Sequence, residues 1–163
     1  MYQFRNAKID DLEEILIIEN QGFTPEEAAT KSALIKRIEM INDTFIIAES
    51  NEKVVGYING PVINQPFITD DLFESIDENS TTGGYVAILG LVVDQSQRNQ
   101  GLAGKLLNEI EQRAKTHYRL GITLTCKEEL IPFYEKYGYV NKGVSSSQHG
   151  GIKWFNLMKE FKH

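Results

Sequence analysis

The sequence predicts an α/β chain of the α+β kind, a mixed sheet covered by helices on both faces. Three observations predict it. Strand-like and helix-like segments follow one another in the order β, α, α, β, β, β, α, β, α, β, β. A continuous apolar run, Ala87-Ile88-Leu89-Gly90-Leu91-Val92-Val93, has the composition of a strand buried on both faces. After it, Leu102, Leu106, Leu107, Ile110 and Ala114 recur at helical spacing, so a helix from about Gly101 to Thr116 packs on that strand.

The remaining elements follow in order. Tyr2 and Phe4 alternate with polar neighbours, as in a short first strand. From Lys8 the period changes, and Leu12, Ile15, Leu16 and Glu19 share one face of a helix that ends near Gly22. Thr24-Pro25-Glu26-Glu27 has a capping threonine, a proline at the first helical position and a glutamate three after the cap, which predicts a second helix from Pro25 to about Met40. Thr44–Ala48 and Val54–Ile58 read as a hairpin around Ser50-Asn51-Glu52-Lys53. Pro61 and Pro66 open a long acidic loop with one short helical turn near 70–78, which runs on to Gly83-Gly84. Beyond the long helix, 121–126 is a strand, Glu129–Tyr137 a short helix ended by Gly138, Tyr139–Gly143 a brief strand, 145–151 a turn and Ile152–Phe161 the last strand.

The chain has 163 residues, enough for one domain with a substantial core, and 1–163 is read as that single domain. No apolar run approaches the ~20 residues of a membrane span, and Met1–Arg5 lacks the apolar core of a signal peptide, so no membrane partner and a cytoplasmic location are expected. A single cysteine, Cys126, excludes an intrachain disulfide, and the three histidines are too dispersed for a metal motif, so no metal is expected. A net charge of −6 argues against nucleic acid and suits a cationic partner.

Between the apolar run and the long helix lies Asp94-Gln95-Ser96-Gln97-Arg98-Asn99-Gln100-Gly101-Leu102-Ala103-Gly104-Lys105. Small residues at a helix start let an anion reach its free N–H groups with the positive end of the helix dipole behind them. The competing explanation is close helix-to-sheet packing by glycine. Neither Gly-x-Gly-x-x-Gly nor the P-loop pattern is present. The string Arg98-x-x-Gly101-x-Ala103 resembles the acyl-CoA signature of the GNAT superfamily of N-acyltransferases. A second stretch, Phe133-Tyr134-Glu135-Lys136-Tyr137-Gly138-Tyr139, looks like the superfamily segment whose tyrosine lies beside the CoA sulfur. The whole chain fits the resemblance. Ile18–Ala29, Cys126–Tyr134 and His149–Phe155 are similar to the arylalkylamine N-acetyltransferase branch and its bacterial relatives.

The resemblance implies the GNAT fold, a mixed, mostly antiparallel sheet with a V-shaped splay at its central strand. It implies acetyl-CoA as co-substrate. The diphosphate would rest on the amides of Arg98, Asn99, Gln100, Gly101, Leu102, Ala103, Gly104 and Lys105. The pantetheine would run along Leu91, Val92 and Val93, with Phe133 alongside. Gly90 would mark the divergence of the strands. Tyr134 would protonate the departing thiolate as general acid, and the Leu91 N–H would hold the oxyanion. Two departures stand out. Lys127 occupies a position where many members carry asparagine, and Ala87 and Leu89 replace the two strand histidines of the animal arylalkylamine enzymes.

The proton acceptor is therefore open between His149, in a turn near the expected site, and a water chain ending on a carboxylate or backbone carbonyl. The expected reaction is acetyl transfer from acetyl-CoA to a small primary amine, by direct attack in a ternary complex. A peptide or protein amine is the alternative acceptor, and a non-catalytic acyl-CoA-binding module the alternative class. An open groove would favour the peptide; a tunnel roofed by the 61–83 loop would favour a small molecule. A monomer or homodimer is expected.

Overall fold

A computed structural model describes residues 1–147 and 151–162 of the chain. Its elements are β1 (Gln3–Asn6), α1 (Leu12–Gly22), α2 (Lys31–Met40), β2 (Phe45–Ser50), β3 (Lys53–Asn59), β4 (Val62–Ile63), β5 (Tyr85–Ile88), β6 (Gly90–Val93), α3 (Leu102–Thr116), β7 (Gly121–Cys126), α4 (Ile131–Lys136), β8 (Val140–Val144) and β9 (Phe155–Glu160). They form two sheets, ordered β1-β2-β3-β6 and β4-β5-β7-β9-β8. Among the described pairings only β5 with β7 is parallel. The architecture is the mixed, mostly antiparallel α+β sheet that the element order and the resemblance lead one to expect.

The apolar run 87–93 departs from the single strand expected of it. β5 belongs to one sheet and β6 to the other, with Leu89 between them. The Leu89 N–H bonds to the Asn59 carbonyl (2.9 Å), while Asn59 is also the register partner of Gly90. Two residues thus oppose one, which is a β-bulge. The bulge reverses the facing of the side chains. Val86 and Ile88 lie in the same core as Leu91 and Val93, whereas Ala87 and Leu89 join one cluster and Val92 another on the opposite side. Regular alternation would have put Ile88 and Val92 on one face.

The cores explain the layers. Ile46, Ile58, Ile122 and Leu124 pack under Leu102, Leu106 and Ile110 of α3, and Tyr134 and Tyr139 close that core. On the other face Phe45, Ile47 and Tyr57 pack under Ile15 and Ile18 of α1 and Leu34 and Ile38 of α2. β2 and β3 turn through Asn51 and Glu52, both with positive φ (52° and 65°), as a tight hairpin with right-handed twist requires.

The second helix begins later than the capping pattern predicts. Thr24 and Glu27 make the expected contacts, Thr24 N–H and Oγ1 both donating to Glu27 Oε1 (3.2 and 2.8 Å), but the result is one turn over 25–27. The Ala29 N–H is taken by the Glu19 carboxylate (2.7 Å), which pulls the chain out of helical geometry. Thr30 then caps the true start by accepting from Ala33 N–H (3.0 Å). Shorter shifts occur at the ends, where the last strand is Phe155–Glu160 and the first Gln3–Asn6.

The 61–83 loop is tied down at both ends. Val62 N–H donates to Asn79 Oδ1 (2.7 Å), and Asn79 Nδ2 donates to Thr44 Oγ1 (2.9 Å). Buried Arg119 donates to the carbonyls of Ser80 (2.8 Å) and Gly83 (2.9 Å). Between these anchors a helical turn over Asp70–Phe73 lays Leu72 and Phe73 on Ile68, Ala87 and Leu89.

Candidate active site

β6 is the edge of its sheet, so one side of its main chain has no strand partner. The Asp94 N–H bonds to the Val55 carbonyl (2.8 Å), which fixes the alternation: Val92 faces β3 across the ladder, and the amides of Leu91 and Val93 point away from it. A groove of about 270 Å³ runs along that free edge, walled by Leu91, Val93 and Ala103 on one side and Leu130, Phe133 and Tyr134 on the other. The Val93 carbonyl receives Arg98 Nε (3.3 Å), which folds the arginine back along the strand. Val92 itself turns its side chain into the α1 core.

The groove leads to the start of α3. Gly101 is the N-cap, at φ 81°, and the space where its Cβ would stand is open within 4 Å. Asn99 also has positive φ, 63°. The Lys105 N–H is bonded to the Gly101 carbonyl (3.2 Å) and that of Arg98 to the Gln95 carbonyl (3.5 Å). No N–H from Asn99 to Gly104 has a main-chain partner among the described residues, and those of Leu102, Ala103 and Gly104 belong to the first turn of α3. These are the donors that the first turn of a helix presents to an anion. Within the 98–105 span expected from sequence, only the N–H groups of Arg98 and Lys105, at its two ends, have main-chain partners among the described residues. The two glycines also divide the two explanations of the motif between them. A Cβ at Gly104 would lie 2.3 Å from the Tyr137 hydroxyl, so Gly104 serves close packing, while Gly101 faces open space.

At its other end the groove meets a cavity of about 90 Å³, and Leu91, Leu130 and Tyr134 line both. Its walls are apolar and aromatic: Phe23, Phe73, Ile88, Leu89, Leu124 and Trp154. Tyr134 is buried, braced edge-on by Phe133 (centroids 5.0 Å) and Tyr139 (5.8 Å). Its hydroxyl makes no hydrogen bond among the described residues. Burial, and after it the neighbouring Cys126 thiol, holds the phenol above its ordinary pKa. It is therefore a neutral donor at physiological pH. Cys126, buried at the cavity wall, is pushed up to about 12 by burial and by Glu129, so it is a thiol and not a nucleophilic thiolate.

One charged side chain lines the cavity among the described residues, Glu27. Burial alone would raise its carboxyl, but Lys127 (Nζ to Oε2, 3.0 Å) and Thr24 together hold it below its ordinary value. In sequence Glu27 reads only as a capping residue, because the Thr24-x-x-Glu27 pattern is a sufficient local explanation for it. Phe23, Phe73 and Trp154 were missed for a different reason. They come from three distant segments, and no local pattern joins them.

Of the residues expected from sequence, Leu91, Val92, Val93, Arg98, Ala103, Phe133 and Tyr134 line the groove; Gly101 and Gly104 line a neighbouring hollow with Lys105 and Tyr137, and Leu102 packs into the core under α3. Asn99 and Gln100 form the exposed crest of the turn. Lys105 projects to the far side, its Nζ 5.2 Å from the centroid of the Tyr2 ring. Ala87 and Leu89 are buried under the 61–83 loop. His149 lies outside the described residues. Among the described residues no group of His, Cys, Asp and Glu has the arrangement of a metal site, and no helix is long and apolar enough to cross a membrane.

Known proteins share this fold. The model of the acetyltransferase (GNAT) family matches residues 9–139. The uncharacterized N-acetyltransferase YjcF of Bacillus subtilis is 25% identical over 141 residues, covering 80% of this chain and 99% of its own. Among solved structures, the loading GNATL domain of CurA from Lyngbya majuscula superposes with a TM-score of 0.82 at 16% identity, covering 98% of both chains. The PaiA N-acetyltransferase from Thermoplasma acidophilum, in complex with coenzyme A, superposes with a TM-score of 0.72 at 16% identity over 99% of both.

Proposed function

Because the chain belongs to the acetyltransferase (GNAT) family, and is thus an N-acetyltransferase that draws on acetyl-CoA, we propose that it acetylates the primary amine of a small molecule with an apolar body. The observation that carries this reading is the cavity: about 90 Å³, lined in part by Phe73 from the 61–83 loop and sharing Leu91, Leu130 and Tyr134 with the groove. A peptide acceptor needs an open channel through which its chain can run on. Phe23, Phe73 and Trp154 supply flat apolar surface, which suits an arylalkylamine as well as an aliphatic amine.

Acetyl-CoA supplies the activated thioester. The N–H groups of Leu102, Ala103 and Gly104, with Arg98 beside them, suit its diphosphate, and the free edge at Leu91 and Val93 suits its pantetheine amides as an added strand. An alkylamine has a pKa of about 10.4, so on the order of 0.1% or less is nucleophilic at pH 7 and a proton must leave first. Glu27 is the acceptor this cavity offers, reached through water, and the lysine and threonine that hold its carboxyl below the ordinary value keep it charged at neutral pH. The nitrogen lone pair then bonds to the carbonyl carbon while the Leu91 N–H donates to the carbonyl oxygen as it gains charge. The carbon–sulfur bond breaks, its electrons go to sulfur, and Tyr134 donates the proton that yields free thiol.

The test is release of free thiol from acetyl-CoA in the presence of an amine panel. Turnover is expected with phenylalkylamines and short alkylamines. Turnover confined to peptides with free N-termini or lysines would replace the small-molecule acceptor with a protein.

A further inference from the structure

Tyr2 stands just ahead of β1, half-buried, and far in sequence from every residue of the site. Its hydroxyl lies 2.7 Å from Gln97 Oε1 and 3.4 Å from Gln100 Oε1. A phenol has one proton to give, so the shorter contact is the donated bond. Rotation of the Gln100 amide by half a turn would let its NH₂ donate to the phenol oxygen in return. The Lys105 ammonium lies over the ring, 5.2 Å from its centroid. Three side chains from the segment that forms the start of α3 therefore converge on one residue just ahead of β1.

Folding does not require this convergence. A half-exposed phenol is satisfied equally well by water, and the site lies beside an open hollow lined by Met1, Ser50 and Gln100. The segment it touches has few other ties. Arg98, Asn99, Gln100 and Gly101 are all exposed, and Asn99 and Gly101 both have positive φ. On the opposite side, Gln21 of α1 accepts from the Gln95 N–H (3.2 Å) and Asp94 accepts from the Ser96 N–H (3.1 Å). Lys105 adds a second consideration. A cation in the first turn of a helix is opposed by the positive end of the dipole, and an anion bound there relieves that conflict. The face of the Tyr2 ring keeps that charge at the helix start.

We propose that Tyr2 is a positioning residue for the diphosphate of the acyl donor: it fixes Gln97 ahead of the turn and Gln100 at its crest, and holds Lys105 at the helix start. The inference rests on reading that turn as the diphosphate site. Fixing an exposed turn before binding removes an entropic cost from association, so the effect belongs to donor affinity and not to chemistry.

The experiment compares two donors, acetyl-CoA and S-acetylpantetheine, which carries the same thioester without the diphosphate, in the wild-type chain and in Tyr2→Phe and Tyr2→Leu. Phenylalanine keeps the ring under Lys105 and removes the hydroxyl; loss of one net hydrogen bond should raise the KM for acetyl-CoA about 3- to 10-fold. Leucine removes the ring as well, with about a further 2- to 5-fold rise. In both, kcat and the KM for the amine stay at wild-type values, and kcat/KM with S-acetylpantetheine is unchanged. An unchanged KM for acetyl-CoA overturns the inference. So does an equal loss with both donors, which marks a merely structural role. A wild-type chain that used both donors equally well would remove the diphosphate reading itself, and the role of Tyr2 with it.

Discussion

The ammonium of Lys127 and the carboxylate of Glu27 meet 3.0 Å apart at the rim of the acceptor cavity, joining the turn after α1 to the corner after β7. Lys127 is about one-third exposed and Glu27 almost fully buried, so the lysine offsets the desolvation that would otherwise neutralise the acid.

The charge of Glu27 should therefore follow Lys127. Replacing Lys127 with Met removes the largest influence that lowers the Glu27 pKa and leaves burial, which raises it. The acidic limb of the kcat/KM profile should move to higher pH in Lys127→Met. Glu27→Gln should lower kcat by about 10²-fold, the scale of positioned proton transfer. His149→Gln serves as the control, with its acidic limb expected to match wild type. A limb that vanishes in the histidine variant and persists in the glutamine variant at 27 would exchange their roles.

Tyr134→Phe should lower kcat by about 10²-fold or more with little change in acetyl-CoA affinity. Because the hydroxyl makes no hydrogen bond among the described residues, thermal stability should stay within about 0.5 kcal/mol of wild type. In the wild-type enzyme the raised phenol pKa sets the basic limb above the ordinary phenol range of about 10. A basic limb near neutrality that survives in Tyr134→Phe would assign the acid elsewhere.

The glycines of the turn should fail in different ways. Gly101→Glu places bulk, a negative charge and a strained backbone at φ 81° where the diphosphate is expected, so calorimetry should detect no CoA binding. Gly104→Ala sets a methyl group 2.3 Å from the Tyr137 hydroxyl and should cost about 1–3 kcal/mol in a denaturant titration. Intact CoA affinity in Gly101→Glu would refute the phosphate site.

Acid should destabilise the fold through carboxyls held low in the native state. Asp11 is buried, which alone would raise its pKa, but Arg5 (2.8 Å) and the Lys8 N–H (2.8 Å) together lower it; Glu27 is lowered likewise. Both contribute stability that is fully present above the ordinary carboxylate pKa of about 4 and lost as pH falls through their native values. Melting temperature measured from pH 7 down to 2 should drop in that window, and Asp11→Asn should flatten the drop. An unchanged slope in that variant would remove Asp11 from the acid response.

Much of this was legible in the residues. Helical spacing from Leu102 to Ala114 gave α3 within a residue, and the hairpin about Asn51-Glu52 formed where its polar turn lies. The start of α2 was not legible, because the competing partner for the Ala29 N–H is Glu19, on another helix. The acceptor wall was not legible either. Phe23, Phe73 and Trp154 meet only through the tertiary fold, and Glu27 already had a sufficient local explanation. The change of sheet at Leu89 was hidden by composition. An unbroken apolar run has no polar residue to mark which side faces which core.

That change of sheet has a further consequence for how such a chain can vary. At 89–90 the number of residues matters more than their identity. An exchange of one apolar side chain for another leaves the phase of Leu91 and Val93 as it is. Loss of a single residue there would restore simple alternation, turn those two amides toward β3, and seal the edge on which the acyl donor must lie. Homologues in this lineage should accordingly tolerate substitutions at the joint and reject deletions.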